Sequence, residues 1–150
     1  MDKSLGGSGS DGGIPVLREG GTDQNRILVV EDETLVALHL SSMLEDLNYD
    51  VCGMAPSGAA ALDIAGRERP ALALVDIGIR GDLDGIETAR ALRDRFAVPS
   101  LFMSGASDAE TLQRARDVQA CGYLCKPYGM AELKAALESI FRVSPLPARA

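Results

Sequence analysis

The chain has 150 residues, a length that fits one domain with a sizeable hydrophobic core. Its composition, 46% hydrophobic and 25% charged, is typical of a globular protein, and no apolar run approaches the roughly 20 residues that span a bilayer. Because of the missing apolar run, we expect no insertion into a membrane. The formal net charge of −7 would repel a phosphate backbone, so we expect no direct DNA binding either.

Both ends of the chain differ in composition from its middle. Residues 1–25 are rich in glycine and serine and poor in apolar side chains, which predicts a flexible tail. Residues 144–150 contain prolines that cannot continue a helix, and they predict a short C-terminal tail. The predicted folded domain therefore spans residues 26–143. Its three cysteines, an odd number, and the lack of a secretory signal predict a reducing, cytoplasmic location.

The first part of the predicted domain alternates between strand and helix. A strand at residues 27–30 precedes a helix that begins near Thr34. A second strand, residues 50–55, leads to Ser57, the predicted N-cap of a helix over residues 59–67. In the first helix, one apolar stripe is predicted to face the core, and it comprises Val36, Leu40, Met43, Leu44 and Leu47.

Three further strands and their helices complete the domain. The third strand, residues 71–75, is apolar throughout, as expected of a central parallel strand that is covered on both faces. Asp84 is the predicted N-cap of the next helix. A fourth strand ends with residues 101–103, and a fifth covers residues 122–125. The last helix has the clearest apolar stripe in the chain, formed by Met130, Leu133, Leu137, Ile140 and Phe141.

The fourth helix is predicted to be the least stable. Ser107 or Asp108 is its predicted N-cap, and its apolar face is thin, consisting mainly of Ala109, Leu112 and Val118. Together the elements form five strand–helix units, which predict an α/β fold with a doubly wound, five-stranded parallel sheet and helices on both faces. Right-handed crossovers and short connections favour the flavodoxin-like strand order 2-1-3-4-5.

The apolar strands end at polar residues suited to phosphoryl chemistry. The first ends at Glu31 and Asp32, the third at Asp76, the fourth at Ser104 and the fifth at Lys126. Because ligands of an open parallel sheet bind beyond the carboxyl ends of its strands, we expect these side chains to share one pocket. The alternative is that the aspartates merely cap turns, as aspartates often do.

Three carboxylates in one crevice would repel one another and raise at least one pKa, and a divalent cation would remove that conflict. Oxygen ligands favour Mg²⁺, whereas the cysteines and the single histidine do not form a zinc ligand set. Asp76 could attack phosphorus and carry an acyl phosphate. Lys126 and Ser104 could then neutralise and hydrogen-bond the transferred group.

These motifs resemble the receiver domain of two-component response regulators, in its single-domain form. The resemblance covers roughly residues 26–142, almost the whole predicted domain. It implies the flavodoxin-like fold inferred above. The segments that carry it are residues 27–33, 74–76, 84–85, 102–105 and 122–128.

The resemblance implies a role for each residue in the pocket. Asp76 would accept a phosphoryl group from a phosphohistidine on a sensor histidine kinase or a histidine phosphotransfer protein. Glu31 and Asp32 would hold Mg²⁺ together with Asp76 and the backbone carbonyl of Gly78. Lys126 would point into the pocket, since the peptide bond between it and the following proline is cis in the family.

The resemblance also assigns a conformational switch to Ser104 and Tyr123. Ser104 would move to hydrogen-bond the phosphoryl oxygens, and Tyr123 would turn into the space that Ser104 leaves. This would alter the face made by the fourth helix, the fifth strand and the fifth helix, which would then contact an unidentified protein target. The alternative for Tyr123 is a half-buried strand aromatic with its hydroxyl at the surface.

Two features of the sequence depart from the commoner family pattern. The loop at residues 77–83 is one residue longer than usual, and Arg80 lies where a proline is common. Gly78 and Ala106 are both small, and in the family these positions flank the path of the water that hydrolyses the phosphoaspartate. We therefore expect slow self-dephosphorylation, over minutes or longer.

We expect a phosphoacceptor signalling protein rather than an enzyme, although it would assist its own phosphorylation and dephosphorylation. Because the chain ends soon after its last helix, its output would be a protein–protein contact. The alternative within the family is a phosphoryl shuttle or phosphate sink between a histidine kinase and a phosphotransfer protein. An aspartate-based phosphatase would need a second aspartate where Gly78 stands, and an FMN-binding flavodoxin would need a phosphate-cradling loop where residues 31–33 stand.

Overall fold

The computed structural model describes residues 25–105 and 109–143, so Ala106 and the predicted caps Ser107 and Asp108 lie outside the described part. The strands are β1 Arg26–Val30, β2 Asp50–Ala55, β3 Leu72–Asp76, β4 Ser100–Ser104 and β5 Gly122–Cys125. The helices are α1 Thr34–Asp46, α2 Gly58–Glu68, α3 Gly85–Phe96, α4 Ala109–Ala115 and α5 Met130–Val143.

All five strands are parallel and form one sheet in the order β2-β1-β3-β4-β5. This confirms the predicted doubly wound, flavodoxin-like order 2-1-3-4-5 with β3 in the middle. Helices α1 and α5 cover one face of the sheet, and α2 and α3 cover the other. Within the described residues, no helix combines the length and the apolar character needed to cross a membrane.

Strand β3 is buried along its whole length and contributes to both hydrophobic cores. Leu72 and Leu74 pack beneath α1 and α5, whereas Ala73 and Val75 pack beneath α2 and α3. This alternation explains why the strand reads as a continuous apolar run. The strand covers residues 72–76 rather than the predicted 71–75, so the carboxylate at its end belongs to a residue that is still part of the sheet.

The carboxyl end of β3 is held on two sides. Asp76 is paired with Met103 of β4, and the N–H of Ile77 donates to the Met103 carbonyl over 2.9 Å. From the other side, the start of α3 lies against the same backbone. A Cβ atom at Gly85 would be 2.6 Å from the carbonyl oxygen of Asp76, so only glycine fits there without a shift of the main chain.

Both predicted N-caps within the described residues are confirmed. The Ser57 hydroxyl accepts a hydrogen bond from the N–H of Ala60 over 3.2 Å at the start of α2. At the start of α3, Asp84 and Glu87 form a reciprocal capping box with bonds of 2.8 and 2.9 Å. The two caps therefore satisfy backbone N–H groups where α2 and α3 begin.

The predicted inner faces of α1 and α5 are each wrong at one position. Val36 is 36% exposed near the start of α1, whereas Ala37 is buried in its place. Met130 is 38% exposed at the first residue of α5. Both residues lie in the first turn of their helix, before the part of the helix that packs on the sheet.

Helix α4 is the shortest of the five and ends in a 3₁₀ turn, residues Arg116–Val118. Val118 is buried as predicted, but it belongs to this turn rather than to the helix. The side chains of Ala109 and Leu112 lie outside the described part, so their inward orientation stays a prediction, as does the low stability of α4.

Candidate functional site

Three carboxylates meet at the carboxyl edge of the sheet, as the strand ends predicted. Glu31 and Asp32 follow β1, and Asp76 ends β3. One oxygen from each residue can be chosen so that all three atoms lie within 4.8 Å of one another. Glu31 is only 3% exposed, Asp76 is buried, and Asp32 is partly exposed. The group therefore has an inner, desolvated side and one open side.

Two backbone N–H groups orient the buried carboxylates. The N–H of Glu33 donates to Glu31 Oε2 over 3.1 Å, and the N–H of Gly78 donates to Asp76 Oδ1 over 3.0 Å. The other oxygen of Glu31, Oε1, is buried and has no hydrogen-bond partner among the described residues. An unsatisfied buried carboxylate oxygen is costly, so this atom indicates a missing partner.

The pKa of Glu31 is raised from 4.5 to about 7, mainly by burial and in smaller part by the neighbouring Asp76 carboxylate. The backbone hydrogen bond from Glu33 and the charge of Lys126 oppose this shift. The sequence predicted that repulsion between carboxylates would raise one pKa, and a pKa is indeed raised. The main cause is desolvation, however, because Glu31 is the most deeply buried of the three carboxylates.

Lys126 reaches the carboxylates from the end of β5. Its Nζ lies 3.3 Å from Asp76 Oδ2 and 3.9 Å from Glu31 Oε1. The Lys126–Pro127 peptide bond is cis, as the resemblance implied. The N–H of Lys126 donates to the carbonyl of Ser104 over 2.7 Å, which fixes its backbone against the end of β4. Lys126 thus places one positive charge beside Asp76.

Ser104 and Tyr123 lie on neighbouring strands at the same end of the sheet. The Ser104 side chain is buried, and its Oγ has no hydrogen-bond partner among the described residues. Tyr123 is 43% exposed, and its ring stacks on that of Phe102 with the centroids 6.0 Å apart. This outward position fits both a surface aromatic and a switch residue that has not turned inward.

The profile of the response regulator receiver domain matches residues 27–138 of the chain. The chain belongs to this family. The KDP operon transcriptional regulatory protein KdpE of Escherichia coli is 36% identical over 116 residues, covering 77% of the chain and 51% of KdpE. The transcriptional regulatory protein PdtaR of Mycobacterium tuberculosis is 32% identical over 113 residues, covering 75% and 55%. This receiver domain chain spans about half the length of these curated relatives.

Solved structures of receiver domains have the same fold. The signal receiver domain of a modulated diguanylate cyclase from Desulfovibrio desulfuricans G20 is 40% identical, with a TM-score of 0.75, covering 81% of the chain and 97% of that structure. The receiver domain of NtrX from Brucella abortus is 25% identical, with a TM-score of 0.72 and coverage of 77% and 98%.

The acidic group fits the Mg²⁺ that receiver domains generally bind. All its donors are oxygens, and Oε1 of Glu31 has no hydrogen-bond partner among the described residues, its nearest cation being Lys126 Nζ at 3.9 Å. A hard divalent cation would satisfy that oxygen and cancel much of the repulsion among the carboxylates. Gly78 lies at the predicted position, but the structure shows only its N–H bonded to Asp76, so a role for its carbonyl stays a prediction.

Two residues at the receiver domain site were not predicted. Arg80 contacts Asp32, its N–H donating to Oδ2 over 3.4 Å and its Nε lying 4.0 Å from the same oxygen. The Tyr128 hydroxyl donates to the sulfur of Met103 over 3.4 Å, and burial, with Glu31 and Asp76 nearby, raises the pKa of Tyr128 to about 12. The unusual loop sequence around Arg80 was the available signal for the first residue. The aromatic directly after Lys126-Pro127 was the signal for the second.

Proposed function

We propose that Asp76 accepts a phosphoryl group from a phosphohistidine on a sensor histidine kinase or a histidine phosphotransfer protein. One observation carries this proposal. Asp76 presents Oδ2 to Lys126 Nζ at 3.3 Å while its other oxygen is held by the N–H of Gly78. The carboxylate is therefore fixed, buried and placed beside a cation and two further carboxylates, which is the arrangement that phosphoryl transfer to an aspartate needs.

In the transfer, a carboxylate oxygen of Asp76 forms a bond to phosphorus as the bond between phosphorus and the histidine nitrogen breaks. The imidazole, protonated on its other nitrogen, leaves with the electron pair as a neutral ring. The product is an acyl phosphate on Asp76. The protein contributes position and charge to this step rather than a separate acid or base.

Glu31, Asp32 and Asp76, with the carbonyl of Gly78, would hold Mg²⁺, which supplies charge neutralisation for the phosphoryl oxygens when it is bound. Lys126 adds a second positive charge from the protein itself. The protein is thus a phosphoacceptor that assists its own phosphorylation, not an enzyme acting on a separate substrate.

The output follows from the buried hydroxyl of Ser104. That hydroxyl has no hydrogen-bond partner among residues 25–105 and 109–143, and a phosphoryl oxygen on Asp76 would offer it one. Its movement would make room for the Tyr123 ring to turn inward and would alter the face formed by α4, β5 and α5. We propose that this face then signals by contact with a protein target, because the net charge of −7 disfavours DNA.

The test is incubation with Mg²⁺ and phosphoramidate, followed by mass measurement of the intact wild type, Asp76→Asn and Asp82→Asn. Asp82 is a matched control, because it is an exposed aspartate in the loop that follows β3. We expect wild type and Asp82→Asn to gain one phosphoryl group and Asp76→Asn to gain none. If Asp76→Asn gained it too, or if the wild type did not, the assignment would be wrong.

The messenger and shuttle roles differ in the fate of the phosphoryl group. Phosphorylated protein is mixed with a histidine phosphotransfer protein, and the label is followed with time. Retention on Asp76 over minutes supports the messenger role that we propose. Rapid transfer to the phosphotransfer protein would instead support the shuttle or phosphate sink.

A further inference from the structure

A second cation reaches the acidic site, and its side chain is far more exposed than that of Lys126. The Nε of Arg80 lies 4.0 Å from Asp32 Oδ2, and the Arg80 side chain is 89% exposed. Its backbone N–H donates to the same carboxylate oxygen over 3.4 Å. The backbone of Arg80 is therefore held at the rim of the site, whereas its long side chain has room to change partner.

The loop that carries Arg80 is anchored directly after Asp76, the proposed phosphoacceptor. The side chains of Ile77 and Ile79 are each 2% exposed and pack into the core beneath α2 and α3. The N–H of Ile79 donates to the carbonyl of Asp76 over 3.3 Å. Directly after Arg80, Gly81 has a φ of 126°, a conformation that glycine adopts readily. These contacts fix where the Arg80 side chain leaves the loop.

The charge of the site changes when a phosphoryl donor arrives. The three carboxylates lie beside the partly buried charge of Lys126 and the exposed charge of Arg80, and a divalent cation would cancel the negative charge that remains. A doubly charged phosphoryl group then makes the pocket negative again. Asp32 would at the same time be occupied as a metal ligand, which weakens its hold on the guanidinium group. A guanidinium fork matches phosphate oxygens well.

We propose that Arg80 is a donor-binding residue, which leaves Asp32 and contacts the phosphoryl group as it enters the pocket. This rests on the proposed function of Asp76. Lys126 approaches the same group from the end of β5, whereas Arg80 approaches it from the loop between β3 and α3. The unusual loop thus supplies a cation where the commoner pattern has a proline.

The experiment measures the second-order rate constant for phosphorylation by phosphoramidate at saturating Mg²⁺, in wild type, Arg80→Gln, Arg80→Lys and Arg67→Gln. Arg67 is the control, because it is an exposed arginine that pairs with Asp63 within α2. We expect Arg80→Gln to lower the rate constant roughly three- to tenfold, as for loss of one exposed charge-assisted hydrogen bond. Arg80→Lys should retain an intermediate rate, and Arg67→Gln should match the wild type.

Two further measurements separate donor binding from other effects. Inorganic phosphate should inhibit the reaction of Arg80→Gln less strongly than that of the wild type, by a similar factor. Mg²⁺ affinity, measured by calorimetry without any donor, should be equal or tighter in Arg80→Gln, because a competitor for Asp32 has been removed.

The role of Arg80 would be overturned if Arg80→Gln left the rate constant unchanged, or if Arg67→Gln lowered it equally. It would also be overturned if Arg80→Gln left inhibition by phosphate unaltered or weakened Mg²⁺ binding. Labelling of Asp76→Asn at the wild-type level would instead overturn the proposed function. The two failures are therefore distinguishable when Asp76→Asn is assayed beside the arginine variants.

Discussion

Substituting Glu31 by glutamine should stabilise the metal-free protein at alkaline pH. Burial raises the pKa of Glu31 from 4.5 to about 7, so between these values the folded state binds a proton that the unfolded state has lost. The unfolding free energy therefore falls as pH rises through this window. A tenfold change in proton affinity is worth about 1.4 kcal/mol. Relative to a permanently neutral side chain, Glu31 therefore lowers the unfolding free energy by about 3 kcal/mol near pH 8 and by under about 1 kcal/mol near pH 5.

The assay is urea denaturation in EDTA, followed by circular dichroism, for wild type, Glu31→Gln and Glu45→Gln. Glu45 is an exposed glutamate on α1 and controls for the loss of a surface charge. Relative to wild type, Glu31→Gln should gain about 2 kcal/mol more near pH 8 than near pH 5, and saturating Mg²⁺ should remove most of this advantage. A gain that does not depend on pH, or an equal gain in Glu45→Gln, would refute the reasoning.

Three further substitutions test the packing and the site. Gly85→Ala should lower the unfolding free energy, measured by urea denaturation, by about 1–3 kcal/mol, because its Cβ would meet the carbonyl oxygen of Asp76. Gly66→Ala is the control, because its Cβ would meet only a side chain at 3.4 Å and should not destabilise the fold. Ser104→Ala removes a buried oxygen that has no hydrogen-bond partner in the described part of the chain, so the unfolding free energy of the unphosphorylated protein should change by less than about 1 kcal/mol. A loss of more than that in urea denaturation would contradict this. Gly78→Asn should shorten the lifetime of the phosphoaspartate, measured by mass, because its amide could orient water. The side chain fits, since a Cβ there would lie in ordinary contact, 3.7 Å from Asp76 Oδ1. An unchanged lifetime would contradict this.

The convergence of the site was predictable because it depends on topology alone. In a parallel sheet the carboxyl ends of all strands lie at one edge, so Asp76 and Lys126 had to approach each other once both strands were recognised. The strand order was predictable for a related reason, since crossovers of fixed handedness leave few arrangements. These inferences needed the strand ends only to within one or two residues.

The contacts that the sequence could not predict depend on side-chain depth and loop path. Nothing in the order of residues indicated that Glu31 would be more deeply buried than Asp32, although this difference sets the pKa. The contact between Arg80 and Asp32 joins residues 48 positions apart through an irregular loop, for which periodicity carries no information. Val36 was wrongly predicted to face the core, because helical periodicity does not indicate at which residue a helix begins to pack on the sheet.

If Asp76 is phosphorylated as proposed, its position inside β3 would separate the site of phosphorylation from the residues that move in response. Its backbone is paired with β4 on one side and lies against the start of α3 on the other, so that backbone has little room to move. A phosphoryl group added to Asp76 would therefore displace its neighbours rather than the Asp76 backbone. The displacement would then be taken up by neighbouring side chains, among them that of Ser104, whose Oγ has no hydrogen-bond partner among the described residues. A rigid backbone at Asp76 would thus direct the movement that phosphorylation causes toward the neighbouring side chains.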